Sequence, residues 1–92
     1  MKPWRSSRYL SWVRARPCVV CTAPATEAHH IISVGLGGMM GSKAADCLAI
    51  PVCHACHRAI HSDPADYRED QMRWALKTID AAFREGVLKC CA

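Results

Sequence analysis

No stretch of this chain stays apolar for long. The opening run MKPWRSSRYLSWVRARP is basic, but Ser11 and Arg14 interrupt it, so it lacks the continuous hydrophobic centre of a secretory signal. No segment is long enough to span a bilayer, and no membrane partner is expected. Internal repeats, low-complexity tracts and linkers are missing as well, which leaves a single domain over residues 1–92 as the expectation. Bulk is also lacking. A domain of 92 residues buries too little apolar surface to be held comfortably by its core, so some staple is expected. With no export signal, a reducing cytosol is the default compartment, and there closely spaced cysteines usually bind metal.

The net charge is +4, unevenly placed. Residues 1–61 carry seven Lys and Arg against only Glu27 and Asp46, whereas residues 62–92 are close to balanced. The first part thus has the polarity of a phosphate-binding surface, although basic residues that only solubilise would look the same.

Residues 6–16 place Tyr9, Leu10, Val13 and Trp12 on one side at helical spacing, with Ser6 or Ser7 as cap and Pro17 as the stop. The arginines of that helix would face outward, as a phosphate clamp or as an ordinary solvated face. EAHHII (27–32) and CLAIPV (47–52) read as short strands, the second an edge or ending at Pro51. The glycine-rich segment 33–45 connects them into a hairpin-like pair. A long helix is expected over 64–85, capped by Ser62 or Asp63, with Pro64 in its first turn and Gly86 as its stop. Its stripe Met72, Ala75, Leu76, Ile79, Ala82 and Phe83 reads as core, with Tyr67 and Trp74 beside it as packing or base-stacking groups.

Seven cysteines stand out in so short a chain. Cys18 with Cys21, and Cys53 with Cys56, form two CxxC knuckles separated by strand, loop and strand. Four thiolates so spaced suit one closed tetrahedral zinc site that pins the hairpin to the following helix. A redox CxxC would not require the second pair, and disulfides conflict with the expected compartment. Cys47 reads as a small buried apolar residue. Cys90 and Cys91 could be a frayed tail, a soft metal site or an oxidisable pair.

Five histidines supply further chemistry: His29, His30, His54, His57 and His61. His57 and His61, at i and i+4, share one helix face and can share a metal. A neutral imidazole also accepts a proton from water near neutral pH. His54, between the cysteines of its knuckle, is expected to face solvent.

The order CxxC, His-His, an acidic or amide residue in the turn, CxxCH and a final histidine resembles the HNH endonuclease motif. The run HHIISVGLGGMMGSKAADCLAIPVCHACHRAIH is similar to small phage and prophage HNH proteins, the recombination-enhancement nucleases (Ref) among them. The resemblance covers residues 8–62 well and the following helix more loosely. It implies an α+β chain with a zinc-stapled ββα-metal (His-Me finger) core at 17–62, flanked by an N-terminal helix and a long C-terminal helix.

By that resemblance His30 is the general base, while His29 and His57 are ligands of a catalytic divalent cation. His61 is a further histidine for metal or phosphate. Asp46 stands where many members carry Asn, and either braces the loop that presents the base or adds its carboxylate to the metal. Lys43 and Arg58 flank the site as phosphate contacts or as plain solvated side chains. The implied activity is metal-dependent nicking of DNA, duplex or branched, in a bacterial host cytoplasm, with a homodimer or a phage recombination protein as partner. The cofactors are a structural Zn²⁺ and a catalytic Mg²⁺, Mn²⁺, Ni²⁺ or Zn²⁺, and the imidazole-rich ligand set favours Mn²⁺ or Ni²⁺ over Mg²⁺. A non-catalytic zinc module that binds nucleic acid is the competing reading.

Overall fold

The computed structural model describes residues 3–33 and 44–89. Helix α1 (Ser7–Arg14) starts where the Ser6 hydroxyl accepts the Tyr9 N–H at 3.1 Å, so Ser6 is the cap. The chain then turns through the first cysteine knuckle, with the Cys18 N–H donating to Ala23 O and the Thr22 N–H to Cys18 O. Strand β1 (Glu27–His30) pairs antiparallel with β2 (Ala49–Val52), in the register Glu27 with Val52, Ala28 with Pro51, His29 with Ile50 and His30 with Ala49. Helix α2 (His54–Ser62) follows β2 after a single residue, and α3 (Arg68–Arg84) ends the described fold. The architecture is α+β, and among the described residues no helix is long and apolar enough to cross a membrane.

β2 is buried along its whole length, because α1 and α3 both pack against it. Ile50 and Val52 join Cys18, Ala25, Ile31, Ile60 and Ala75 in the main core, against which Tyr67 and Trp74 pack. Tyr9 and Val13 of α1 meet Ala82 of α3 in a second cluster. Pro51 is tolerated here for a geometric reason. Its carbonyl accepts the Val19 N–H at 2.9 Å, and since N and O of one strand residue point the same way, the missing N–H faces the knuckle and costs the β1 ladder nothing.

The structure corrects several local expectations. α3 begins at Arg68, because Pro64–Tyr67 close a separate turn in which the Tyr67 N–H donates to Pro64 O. Cys47 lies half-buried in a one-turn 3₁₀ helix (Asp46–Leu48) instead of on a strand. The buried face of α3 is Gln71, Ala75, Thr78 and Ala82, while Met72, Leu76 and Phe83 of the expected stripe are exposed. Apolar periodicity cannot anticipate this, since two polar residues occupy the buried face by satisfying their own hydrogen bonds: Thr78 donates to Trp74 O, and Gln71 bonds across to the β1 end. The stop at Gly86 is as expected. Gly86 has φ +74°, its N–H donates to Phe83 O and the Val87 N–H to Ala82 O, which together form a Schellman motif.

This rotation is testable by paired substitutions on α3. Leu76→Lys, at a position 68% exposed, should change unfolding free energy by about 0.5 kcal/mol or less, whereas Ala75→Lys, at 2% exposed, should cost about 3 kcal/mol or more. Denaturant titration of both variants gives the comparison, and equal losses would contradict the observed face.

Candidate metal centres

The two knuckles converge. Cys18 and Cys21 come from the turn after α1, Cys53 caps α2 and Cys56 lies in its first turn; their four Sγ atoms fall within 4.8 Å of one another and could hold a metal ion. The Cys21 and Cys53 sulfurs are 3.7 Å apart. A tetrahedral ion with sulfur ligands at about 2.3 Å separates neighbouring sulfurs by about 3.8 Å, so this spacing fits a thiolate site and is far too wide for a disulfide. Burial alone would raise the Cys18 thiol. Backbone N–H groups of Cys21, Cys53 and Val20 more than offset it and bring the group down to about 6, whereas burial and the neighbouring thiols push Cys56 up, so without a metal the ionised form falls on Cys18.

A second cluster forms between β1 and α2. His29 on β1 and His57 and His61 on α2 place their ring centroids 4.8–5.0 Å apart in a near-regular triangle. One nitrogen from each falls within 4.8 Å of the others, so these three imidazoles could also hold an ion. The Nε2 atoms of His57 and His61 are 3.1 Å apart, a spacing suited to neighbouring ligands on one cation. His29 is 1% exposed. Burial, reinforced by the adjacent rings and only partly opposed by a hydrogen bond to Gln71, pushes its imidazole down to about 4. Burial and His57 push His61 down as well. His29 and His61 are therefore biased toward neutral rings with lone pairs available.

Glu27, two residues before His29 and hence on the same face of β1, was not singled out by spacing alone. Its carboxylate takes His57 Nδ1 at 2.5 Å and His54 Nδ1 at 2.9 Å, and those two contacts hold it below the usual carboxylate range. With Nδ1 so engaged, His57 presents Nε2 to the triad. His54 is 70% exposed at its side chain, as expected.

His30 points to the other face of β1. Its Nε2 lies 2.8 Å from Asp46 Oδ1, and Asp46 is 4% exposed. The second carboxylate oxygen accepts the Ser6 N–H at 2.7 Å, and Arg5 reaches Oδ1 at 3.1 Å and Ala44 O at 2.7 Å. Burial opposes ionisation of Asp46, but the bonds from His30, Ser6 and Arg5 outweigh it and keep the carboxyl below its ordinary value. The carboxylate thus sits with His30 and not with the triad. Arg58 is exposed one residue after His57, with no acidic partner among the described residues. Lys43, Cys90, Cys91 and the glycines at 35–41 lie outside the described residues.

Over residues 1–86 the sequence matches a family described as a protein of unknown function (DUF968). The chain belongs to the DUF968 family. This DUF968 chain is also similar to the uncharacterized protein YdfU of Escherichia coli (strain K12), 36% identical over 88 residues that cover 92% of the chain. It spans about a quarter of that relative's length, the match covering 25% of it. No solved structure matches it.

The depressed His29 group has a consequence for stability. Between about pH 6.5, where an unfolded histidine titrates, and about 4, the unfolded chain binds a proton that the folded chain refuses, so stability is present above this window and is lost as pH falls through it. The full effect is on the order of 3 kcal/mol. Denaturant titrations without added divalent ions should show this decline, and His29→Phe should flatten it; an unchanged slope in the variant would contradict the assignment.

Proposed function

We propose that this chain is an HNH-type, ββα-metal endonuclease that hydrolyses a phosphodiester of DNA, stapled by zinc on Cys18, Cys21, Cys53 and Cys56. A soft, four-thiolate donor set suits zinc, and a three-imidazole set that leaves coordination positions open suits a divalent cation in contact with substrate. His29, His57 and His61 would hold that cation. When bound, it polarises the scissile phosphate and stabilises the leaving oxygen.

The observation that carries the reading is the separation of His30 from the triad. Asp46 is ionised, so the His30 nitrogen facing it is the one that carries the proton in the neutral ring, and the lone pair of that form lies on Nδ1, with no partner for Nδ1 among the described residues. His30 takes the proton of the attacking water at Nδ1, and Asp46 holds the resulting imidazolium in place. The Ser6 N–H and Arg5 keep that carboxylate charged and oriented. His29 and His30 are consecutive, with Cα atoms about 3.8 Å apart and rings on opposite faces of β1, so a phosphate reached from both would lie across the edge of the strand. Arg8, Arg14 and Arg58 are exposed without acidic partners among the described residues, and supply the phosphate contacts.

Nicking of supercoiled plasmid tests the proposal, with Mn²⁺ or Ni²⁺ supporting more turnover than Mg²⁺. His30→Ala should lower the rate by about 10²- to 10⁴-fold with fold and zinc content retained. Retained plasmid binding with no nicking by the wild-type chain would instead identify a non-catalytic nucleic-acid-binding module.

A further inference from the structure

Gln71 is wholly buried on α3, an element to which spacing assigns only core, and every polar atom of its side chain is used. Its Oε1 accepts the Ile32 N–H at 2.9 Å. Its Nε2 donates to Ile32 O at 3.0 Å and to Pro64 O at 3.3 Å. These contacts fix which end of the amide is oxygen: a flipped amide would set NH₂ against an N–H and oxygen against two carbonyls, and each buried polar group left unpaired costs about 1–3 kcal/mol. The same Oε1 lies 2.9 Å from His29 Nε2. An amide oxygen only accepts, so His29 Nε2 must donate.

From this we infer that Gln71 is a positioning residue of the histidine centre: it sets the His29 proton on Nε2 and leaves the Nδ1 lone pair as the atom offered to a cation. The ligand set is then mixed, with Nδ1 from His29 and Nε2 from His57, whose Nδ1 is taken by Glu27. The inference rests on the triad being a cation site. It makes α3, through one amide, part of that centre, and it ties the end of β1 to the same group through both polar atoms of Ile32.

Two measurements on the full chain loaded with one equivalent of zinc test it. Nitrogen-15 NMR of the histidine rings should show His29 protonated at Nε2; a proton on Nδ1 overturns the inference. Calorimetric titration with Ni²⁺ should show a site beyond the thiolates, weakened about 10- to 100-fold in Gln71→Met with the thiolate zinc retained, and the ring spectrum of that variant should show the His29 proton no longer held on Nε2. Equal affinity in Gln71→Met overturns the role of Gln71. Absence of Ni²⁺ binding by the wild-type chain overturns the cation site itself, and the ligand role of Nδ1 with it, even where the ring proton is on Nε2.

Discussion

A strand repeats every two residues, and in β1 this period separates two consecutive histidines. The pairing of His29 with Ile50 and His30 with Ala49 sends one ring toward α2 and the other toward the start of α1. A one-residue slip would exchange them, setting His30 among the imidazoles and leaving Asp46 without its partner. The register therefore decides which imidazole stands with His57 and His61 and which is held by a carboxylate. It is enforced by the packing of β2, since a slip would take Ile50 and Val52 out of the main core.

So short a hairpin needs fastening at its ends. The first knuckle is bound to β2 through Val19 and Pro51, and the second begins at the residue after β2. The cysteine cluster thus closes the open side of the hairpin. The same turn of α2 supplies Cys56 to that cluster and His57 to the triad, so whatever fixes the thiols also fixes the azimuth of the histidines. With zinc on the thiolates, as proposed, the staple and the chemistry share one helical turn.

Much of this is legible in the sequence. The CxxC spacings, the i, i+4 histidines, the Ser6 cap and the Gly86 stop are local signals, and each appears where its spacing puts it. The chain's membership in DUF968 rests on a match over nearly its whole length. What spacing does not reveal depends on residues far apart in the chain. Gln71 reads as one more polar residue beside an apolar stripe until β1 is placed opposite it, 42 positions away. Glu27 is only two residues from His29, and a strand reading puts both on one face, but its bonds to His54 and His57 need α2 in place. The rotation of α3 has the same origin, because a buried amide with satisfied partners outcompetes Met72 and Leu76 for the inner face.

The division of labour among the imidazoles is tested most directly by the anomalous scattering of a crystal soaked in Mn²⁺. The account predicts two metal peaks per chain, zinc among the four sulfurs and manganese ringed by His29, His57 and His61, with His30 and Asp46 off the ion. A manganese peak bound by His30, or none at the triad, would contradict it.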